Sequence, residues 1–294
     1  MKKKTTLPND YERMIPEYHK GTQVYGEHIA RYESIGKVAK GKVVLDIASG
    51  SGYGTALIAK QAKKVFGVDV LEGAIEYAKE HYGAPNIEYL HGDGVKIPLE
   101  TASVDLVVSF ETIEHIKDYV TFMKEVKRVL KPDGLLLLST PNDVEFAEGN
   151  HFHLHEFEEK ELLKLAKTYY KNVKPYYQTT WISNMISDGS MMTQEWQGSV
   201  ELMQVAPVKN EQFLYFYFLC SDRNIAETID NLVVLGEHWS ERKKVEMESK
   251  QILTEQHIVN LEAKVTSLED ELTSIKQSRS YKLAQRMKKA KHLF

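Results

Sequence analysis

A short stretch near residue 50 combines an acid with alternating glycines, and these residue types suit the binding of a nucleotide-like ligand. It reads V-V-L-D-I-A-S-G-S-G-Y-G from Val43 to Gly54, with Asp46 four residues before Gly50. Glycine allows a sharp turn and lets a ligand lie against the backbone, because no Cβ stands in the way. The expected chemistry is ligand binding at this turn. The alternative is an ordinary tight connection between a strand and a helix.

Two elements must position this turn. The apolar, β-branched run Val43-Val44-Leu45 predicts a buried strand, and Thr55 to Ala62 predicts a helix whose first N–H groups face the turn. A dinucleotide fingerprint needs Gly-x-Gly-x-x-Gly, but Thr55 stands where its third glycine would be. The spacing therefore argues against a dinucleotide.

A second acid ends the next predicted strand, Val65 to Asp69. The two oxygens of the Asp69 carboxylate can accept both hydroxyls of an adenosine ribose. The structural alternative is that Asp69 caps the following helix, predicted from Leu71 to His81. A third strand, Asn86 to His91, leads into Gly92-Asp93-Gly94.

The remaining pattern continues the alternation of strands and helices. Predicted strands are 103–110, 135–139, 173–181 and 212–221, and predicted helices are 24–40, 118–130 and 160–170. Residues 1–22 are expected to form an irregular arm, and Lys131-Pro132-Asp133-Gly134 is expected to be a turn. Alternation of this kind predicts an α/β fold with a parallel sheet and right-handed crossovers.

Four motifs in this order resemble those of the class I S-adenosylmethionine-dependent methyltransferases, over roughly residues 10–222. The resemblance implies a Rossmann-like, doubly wound sheet of seven strands, mostly parallel with the last strand antiparallel. It implies S-adenosyl-L-methionine as cofactor and Asp93 as the acid at the adenine amino group. It also carries cofactor binding to Asp46, Ala48, Ser49, Gly50, Gly52, Asp69, Val70, Asp93, Gly94, Phe110 and Glu111.

The subgroup resembled is that of bacterial methyltransferases associated with glycosyltransferases and surface polysaccharides. The segments that carry this resemblance are 12–16, 27–32 and 150–157, although relatives usually have Pro at His151 and Arg at His155. It implies O-methylation of a sugar hydroxyl on a nucleotide sugar or glycan, with a glycosyltransferase as a further partner. Two alternatives stay open: a lipid-like acceptor such as a quinone, and a scaffold that keeps the fold within a glycan-assembly complex.

Histidines are the expected catalytic groups, because a hydroxyl nucleophile benefits from a base that removes its proton. His153 and His115 are the candidates, and Glu111 is expected instead to shape the pocket near the cofactor. His151, His153 and His155 alternate, which would place them on one side of an extended segment. No familiar set of partner ligands accompanies them, so we expect no metal.

Composition narrows the class of protein further. The 294 residues are 42% hydrophobic with a net charge of −4, which suits one large globular domain with an appendage and gives no case for nucleic-acid binding. The single cysteine, Cys220, excludes an internal disulfide and is expected to be a buried thiol. We find no signal-peptide pattern and no apolar run long enough to span a bilayer, and therefore expect a cytoplasmic protein.

Three predictions concern segments beyond or between these motifs. Residues 182–207 are expected to be an insertion over the substrate mouth, or else a partner contact, in a methyltransferase domain of residues 1–222. Residues 223–278 are expected to form a long helix for self-association or for packing on its own domain. The seam is Ile258, Leu261, Val265, Leu268, Leu272 and Ile275. The basic tail, 279–294, is expected to be solvated, or else to touch an anionic membrane.

Overall fold

The computed structural model describes residues 13–20, 22–142, 152–180 and 213–229, together with positions 232, 264, 265, 268 and 272. The chain divides into two compact units, Met1–Leu235 and Gly236–Phe294. In the second unit, the described positions are helical, and Val265, Leu268 and Leu272 are about half exposed. The other seam residues, the insertion 182–207 and the basic tail lie outside the described residues.

The first unit is built on one seven-stranded sheet with the order β3-β2-β1-β4-β5-β7-β6. The strands are β1 Val43–Ile47, β2 Lys64–Asp69, β3 Ile87–His91, β4 Val104–Phe110, β5 Leu130–Pro141, β6 Asn172–Gln178 and β7 Tyr215–Ser221. The helices are α1 Pro16–His19, α2 Gln23–Ser34, α3 Gly36–Ala39, α4 Tyr53–Ala59, α5 Glu72–Tyr82, α6 Tyr119–Val129 and α7 Glu159–Tyr169. A short 3₁₀ helix, Ile113–His115, follows β4.

The pairing of the strands confirms the predicted mixed sheet. Strands β1 to β5 pair parallel with one another, whereas β7 runs antiparallel to both β5 and β6. Parallel strands joined by helices bring their carboxyl ends to one edge of the sheet. That edge therefore collects the turns after β1, β2, β3 and β4, which hold most of the residues singled out in the sequence.

Apolar side chains alternate between two layers of core. Leu136 and Leu138 of β5 face the layer of α6 and α7, whereas Leu135 and Leu137 face the layer of α2, α3 and α4. Cys220 lies in the first layer and is fully buried, as predicted, and burial raises the pKa of its thiol. Ile229 still packs against the second layer, so the chain beyond β7 remains part of this core.

The structure corrects three local predictions. The helix predicted over 24–40 is interrupted at Ile35, whose backbone (φ −98°, ψ 0°) leaves the α region between α2 and α3. The turn predicted at 131–134 lies inside β5, because Val104 pairs with Leu130 and Leu106 pairs with Leu135 across an irregularity. The arm is not wholly irregular, since α1 forms one turn and Ile15 is fully buried.

In the part of the chain that the structure describes, no helix combines the length and the apolar character needed to cross a bilayer.

Candidate active site

A large cavity lies at the carboxyl edge of the sheet and has a volume of about 1330 Å³. We divide its lining into two parts. The glycine half comprises residues 47–51, 53, 68–70 and 92–95, and the histidine half comprises residues 110–112, 114–118 and 152–154. Drug-sized ligands occupy pockets of roughly 300–1000 Å³, so this volume suits a cofactor together with an acceptor.

The glycine turn has the backbone that its sequence implies. Gly50 and Gly52 adopt positive φ angles of 55° and 89°. A Cβ on Gly52 would lie 2.6 Å from the Cβ of Ala78, so glycine is required there for both conformation and space. Ala48 also has a positive φ, 59°, which is costly for a residue with a Cβ and places strain at the end of β1.

Asp69 stands at the centre of the glycine half. Its Oδ2 accepts a hydrogen bond from the Gly50 N–H at 2.9 Å, and its Oδ1 accepts one from the Leu71 N–H at 2.9 Å. These bonds fix the carboxylate between the turn after β1 and the turn after β2. Each carboxylate oxygen has two lone pairs, so each can still accept a hydroxyl from the cavity.

Asp46 does not reach the cavity surface. It is fully buried beneath the turn, where it accepts hydrogen bonds from Thr55 Oγ1 at 2.6 Å and Tyr32 OH at 3.3 Å. Burial raises its pKa to about 7 although the hydrogen bonds from Thr55 and Tyr32 act in the opposite direction. Asp46 therefore supports the glycine turn and α4. Its direct contact with a cofactor stays a prediction.

The other predicted cofactor residues of the glycine half line the cavity. Ala48, Ser49, Val70, Asp93 and Gly94 all belong to its lining. The Ser49 hydroxyl is buried and finds no hydrogen-bond partner among the described residues, so it is available to bind a ligand. Asp93 accepts a hydrogen bond from the Val95 N–H at 3.0 Å, which orients its carboxylate at the cavity.

Phe110 and Glu111 mark the boundary between the two halves. The Phe110 ring packs edge-on against Tyr32 at 5.1 Å. Glu111 has a positive φ of 50°, and its Oε1 accepts a hydrogen bond from Ser139 Oγ at 2.6 Å and lies 3.8 Å from Arg31 Nη1. Glu111 is thus held in place by two partners and shapes the wall.

The histidine half brings together residues from distant parts of the chain. Glu114 is 1% exposed, and its carbonyl oxygen accepts hydrogen bonds from the backbone N–H groups of Leu154 and His155. This pairing docks the segment after residue 152 onto the 3₁₀ helix. The rings of His115 and His153 lie 5.0 Å apart as a result.

The three histidines considered in the sequence do not act as one group. His153 Nδ1 lies 3.1 Å from Glu156 Oε1 inside the histidine half. His155 points elsewhere, since its Nε2 lies 2.9 Å from Glu161 Oε1 and its ring packs on Phe157. His151 lies outside the described residues.

Several residues of the site were not predicted as functional. His28, Tyr32 and Tyr53 line the cavity, and His28 Nδ1 lies 2.7 Å from Tyr53 OH. Burial, then Arg31, lower the pKa of His28 well below its usual value, so this imidazole is neutral. Tyr32 belongs both to the buried core and to the cavity lining. Glu114 was overlooked, although its position beside His115 was a visible signal.

Comparison with known proteins supports the resemblance found in the sequence. The family described as the methyltransferase domain matches residues 45–138, which include the glycine half and the start of the histidine half. A protein of Mycolicibacterium smegmatis, named a probable S-adenosylmethionine-dependent methyltransferase, is 37% identical over 169 residues, or 56% of this chain and 65% of that protein. A similar match, 36% over 159 residues, is found in Mycobacterium tuberculosis.

A demethylmenaquinone methyltransferase of Staphylococcus aureus is 34% identical over 104 residues, or 34% of this chain and 43% of that enzyme. The matched region spans less than two thirds of the length of each of these relatives. An S-adenosylmethionine-dependent methyltransferase from Thermotoga maritima shares the fold, with a TM-score of 0.50 and 18% identity over 68% of this chain and 91% of that chain. These similarities support a methyltransferase fold with S-adenosylmethionine as cofactor. They do not confirm the polysaccharide-associated subgroup.

Proposed function

We propose that this protein is an S-adenosylmethionine-dependent methyltransferase that O-methylates a sugar hydroxyl of a nucleotide sugar or glycan. The observation that carries the proposal is the two-part cavity. The glycine turn and the carboxylates of Asp69 and Asp93 line one side, and the imidazoles of His115 and His153 line the other. The methyltransferase assignment is supported by the matched family and relatives. The sugar acceptor is supported by the resemblance in the sequence alone.

The glycine half fits the cofactor. Asp69 would accept the ribose hydroxyls, since both its oxygens are fixed by backbone N–H groups and retain a lone pair. Asp93 would accept from the adenine amino group, and Ser49 offers a buried hydroxyl that lacks a partner among the described residues. When bound, S-adenosylmethionine supplies a methyl group that its sulfonium already activates for transfer to an oxygen.

The histidine half fits the acceptor. A hydroxyl placed between the two halves would meet the imidazoles of His115 and His153, of which His153 is oriented by Glu156. The task of these side chains is to align the hydroxyl and to assist the loss of its proton. Phe110, Ile116 and Leu154 add apolar side chains to the lining beside these groups.

The proposal is tested by incubating the purified protein with S-adenosylmethionine and a panel of nucleotide sugars. We expect one sugar to gain a methyl group, detected by mass spectrometry, while S-adenosylhomocysteine forms in equal amount. Cofactor binding without methylation of any hydroxyl acceptor would contradict the proposed acceptor class.

A lipid-like acceptor such as a quinone is the second candidate, because a demethylmenaquinone methyltransferase matches 104 residues of this chain. Methylation of demethylmenaquinone in detergent, with every nucleotide sugar left unchanged, would favour this candidate. If the protein is a scaffold without catalysis, we expect neither methylated product. We then expect a pull-down with the full-length protein to recover a glycosyltransferase.

We further propose that the protein self-associates through the C-terminal seam. Its three described members, Val265, Leu268 and Leu272, are helical and about half exposed within their own unit. Charge at two of them, Leu268→Glu with Leu272→Glu, would leave unpaired carboxylates in the interface. Light scattering should show an oligomer for the wild type and a monomer for the double variant, with cofactor binding kept in both. A monomeric wild type at tens of micromolar would contradict self-association.

A further inference from the structure

Three side chains of the histidine half converge although they come from two separate segments. Glu114 and His115 belong to the 3₁₀ helix after β4, and His153 follows β5. One ligand atom from each lies within 4.8 Å of the other two. His115 Nε2 is 3.9 Å from Glu114 Oε1. We propose that Glu114, His115 and His153 bind a divalent transition-metal cation, and that two imidazoles with one carboxylate suit Zn²⁺ best.

The Glu114 carboxylate provides an independent reason for a cation. Its Oε2 accepts a hydrogen bond from Thr140 Oγ1 at 3.0 Å. Its Oε1 is buried and receives no hydrogen bond from any described residue. A buried carboxylate oxygen without a donor is costly, and a cation at the triad would offset that cost.

The groups behind the imidazoles are those that usually support metal ligands. His115 Nδ1 lies 3.0 Å from the carbonyl oxygen of Phe152, and His153 Nδ1 lies 3.1 Å from Glu156 Oε1. Metal-binding histidines commonly direct their second nitrogen to a carbonyl or a carboxylate, which fixes ring orientation and tautomer. Both imidazoles have that arrangement here.

Binding would draw the three ligand atoms together from separations that lie within 4.8 Å. With metal–ligand bonds of about 2.0–2.2 Å, the ligand atoms of a tetrahedral site stand roughly 3.4 Å apart. The 3.9 Å between Glu114 and His115 is close to that value, and His115 is partly exposed, which leaves room for its ring to move. All three residues line the cavity, so a fourth position would face an incoming ligand.

For its chemical use, this inference rests on the proposed methyl transfer. A hydroxyl at the fourth position would have its pKa lowered by the cation, so its proton can leave to water before the oxygen–carbon bond forms and the sulfur–carbon bond breaks. In that case the two imidazoles assist the loss of the proton through the cation that they hold.

The test uses full-length protein freed of metal with a chelator and titrated with Zn²⁺ by calorimetry. We expect one saturable site per chain, and affinity for Zn²⁺ at least about a hundredfold weaker in Glu114→Gln and in His153→Ala. Mg²⁺ should not compete, because it prefers oxygen ligands. The matched control is His155→Ala, which removes a neighbouring imidazole paired with Glu161 and should leave the affinity unchanged.

Binding of S-adenosylhomocysteine, measured for every variant, reports whether the fold is kept, and His153→Ala remains informative if Glu114→Gln does not fold. Absence of a saturable Zn²⁺ site, or an equal loss in His155→Ala, would overturn the inference. Methylation that proceeds fully in metal-free protein would overturn the chemical use inferred for the cation and leave the proposed function standing. Tight Zn²⁺ binding at the triad without methylation of any acceptor would support the site and contradict the proposed function.

Discussion

The two halves of the cavity are built in different ways. In the glycine half, Asp69 is held by backbone N–H groups of Gly50 and Leu71, and each element comes directly after the strand that positions it. In the histidine half, Glu114 and His153 meet only because a segment after β5 docks on the turn after β4. A ligand that many enzymes share can be bound by a local turn. Binding and reacting with a particular acceptor requires side chains that are distant in the sequence.

The largest expected effect is on the histidine half. His153→Ala should lower the methylation rate by roughly 10² or more, because it removes an imidazole at the acceptor side. Cofactor affinity should hold, since His153 does not contribute to the glycine half. Steady-state rates together with calorimetric titration of S-adenosylmethionine measure both quantities. Equal loss of rate and cofactor affinity would mean that the halves are not separable.

The converse experiment concerns the glycine half. Asp69→Ala should weaken S-adenosylmethionine binding at least about tenfold, because each charge-assisted hydrogen bond is worth about 1.5–3 kcal/mol. The structure adds a second consequence, since the Gly50 and Leu71 N–H groups also lose their acceptor. We therefore expect a lower free energy of unfolding as well, measured by urea denaturation. Unchanged cofactor affinity would place the ribose elsewhere.

A smaller effect is expected from crowding behind the glycine turn. The Cβ of Gly54→Ala would lie 2.1 Å from the ring of Tyr32, so the ring must move, at a cost of about 1–3 kcal/mol in stability. Gly73→Ala is the matched control in α5, where nothing lies within 4 Å and the change should stabilise by about 0.5–1 kcal/mol. Thermal unfolding of both variants compares them. Equal melting temperatures would show that the turn tolerates displacement of Tyr32.

The last effect is the pH dependence of stability that Asp46 confers on the glycine half. Its pKa is about 7 when folded and about 4 when unfolded. Between these values the folded protein binds a proton that the unfolded chain has lost, so the free energy of unfolding falls as pH rises from about 4 to about 7. The slope is at most about 1.4 kcal/mol per pH unit.

Asp46→Asn should abolish this slope, because the amide does not titrate and its oxygen can still accept from Thr55. Urea denaturation at several pH values between about 4 and 8 measures the slope for both proteins. Identical pH profiles for the wild type and the variant would mean that Asp46 titrates normally.

Much of the glycine half was predictable because its information is local. A buried apolar run, an acid at its end and glycines in the turn define a strand–turn–helix unit, and parallel strands bring such turns to one edge. Asp69, Asp93, Gly50 and Gly52 were placed in this way, and all of them lie at that edge. The positive φ angles of Ala48 and Glu111 were not predictable, since neither residue type favours that conformation.

The amino-acid sequence alone thus determined the order of the strands and helices, the antiparallel closing strand and the identity of the glycine turn. Only the tertiary structure decided that Asp46 lies under the turn and that Glu114 joins His115 and His153. It also decided that Lys131 to Gly134 lie within β5. The physical reason is that periodicity and turn propensity act between neighbours, whereas these three outcomes depend on which distant surfaces pack together.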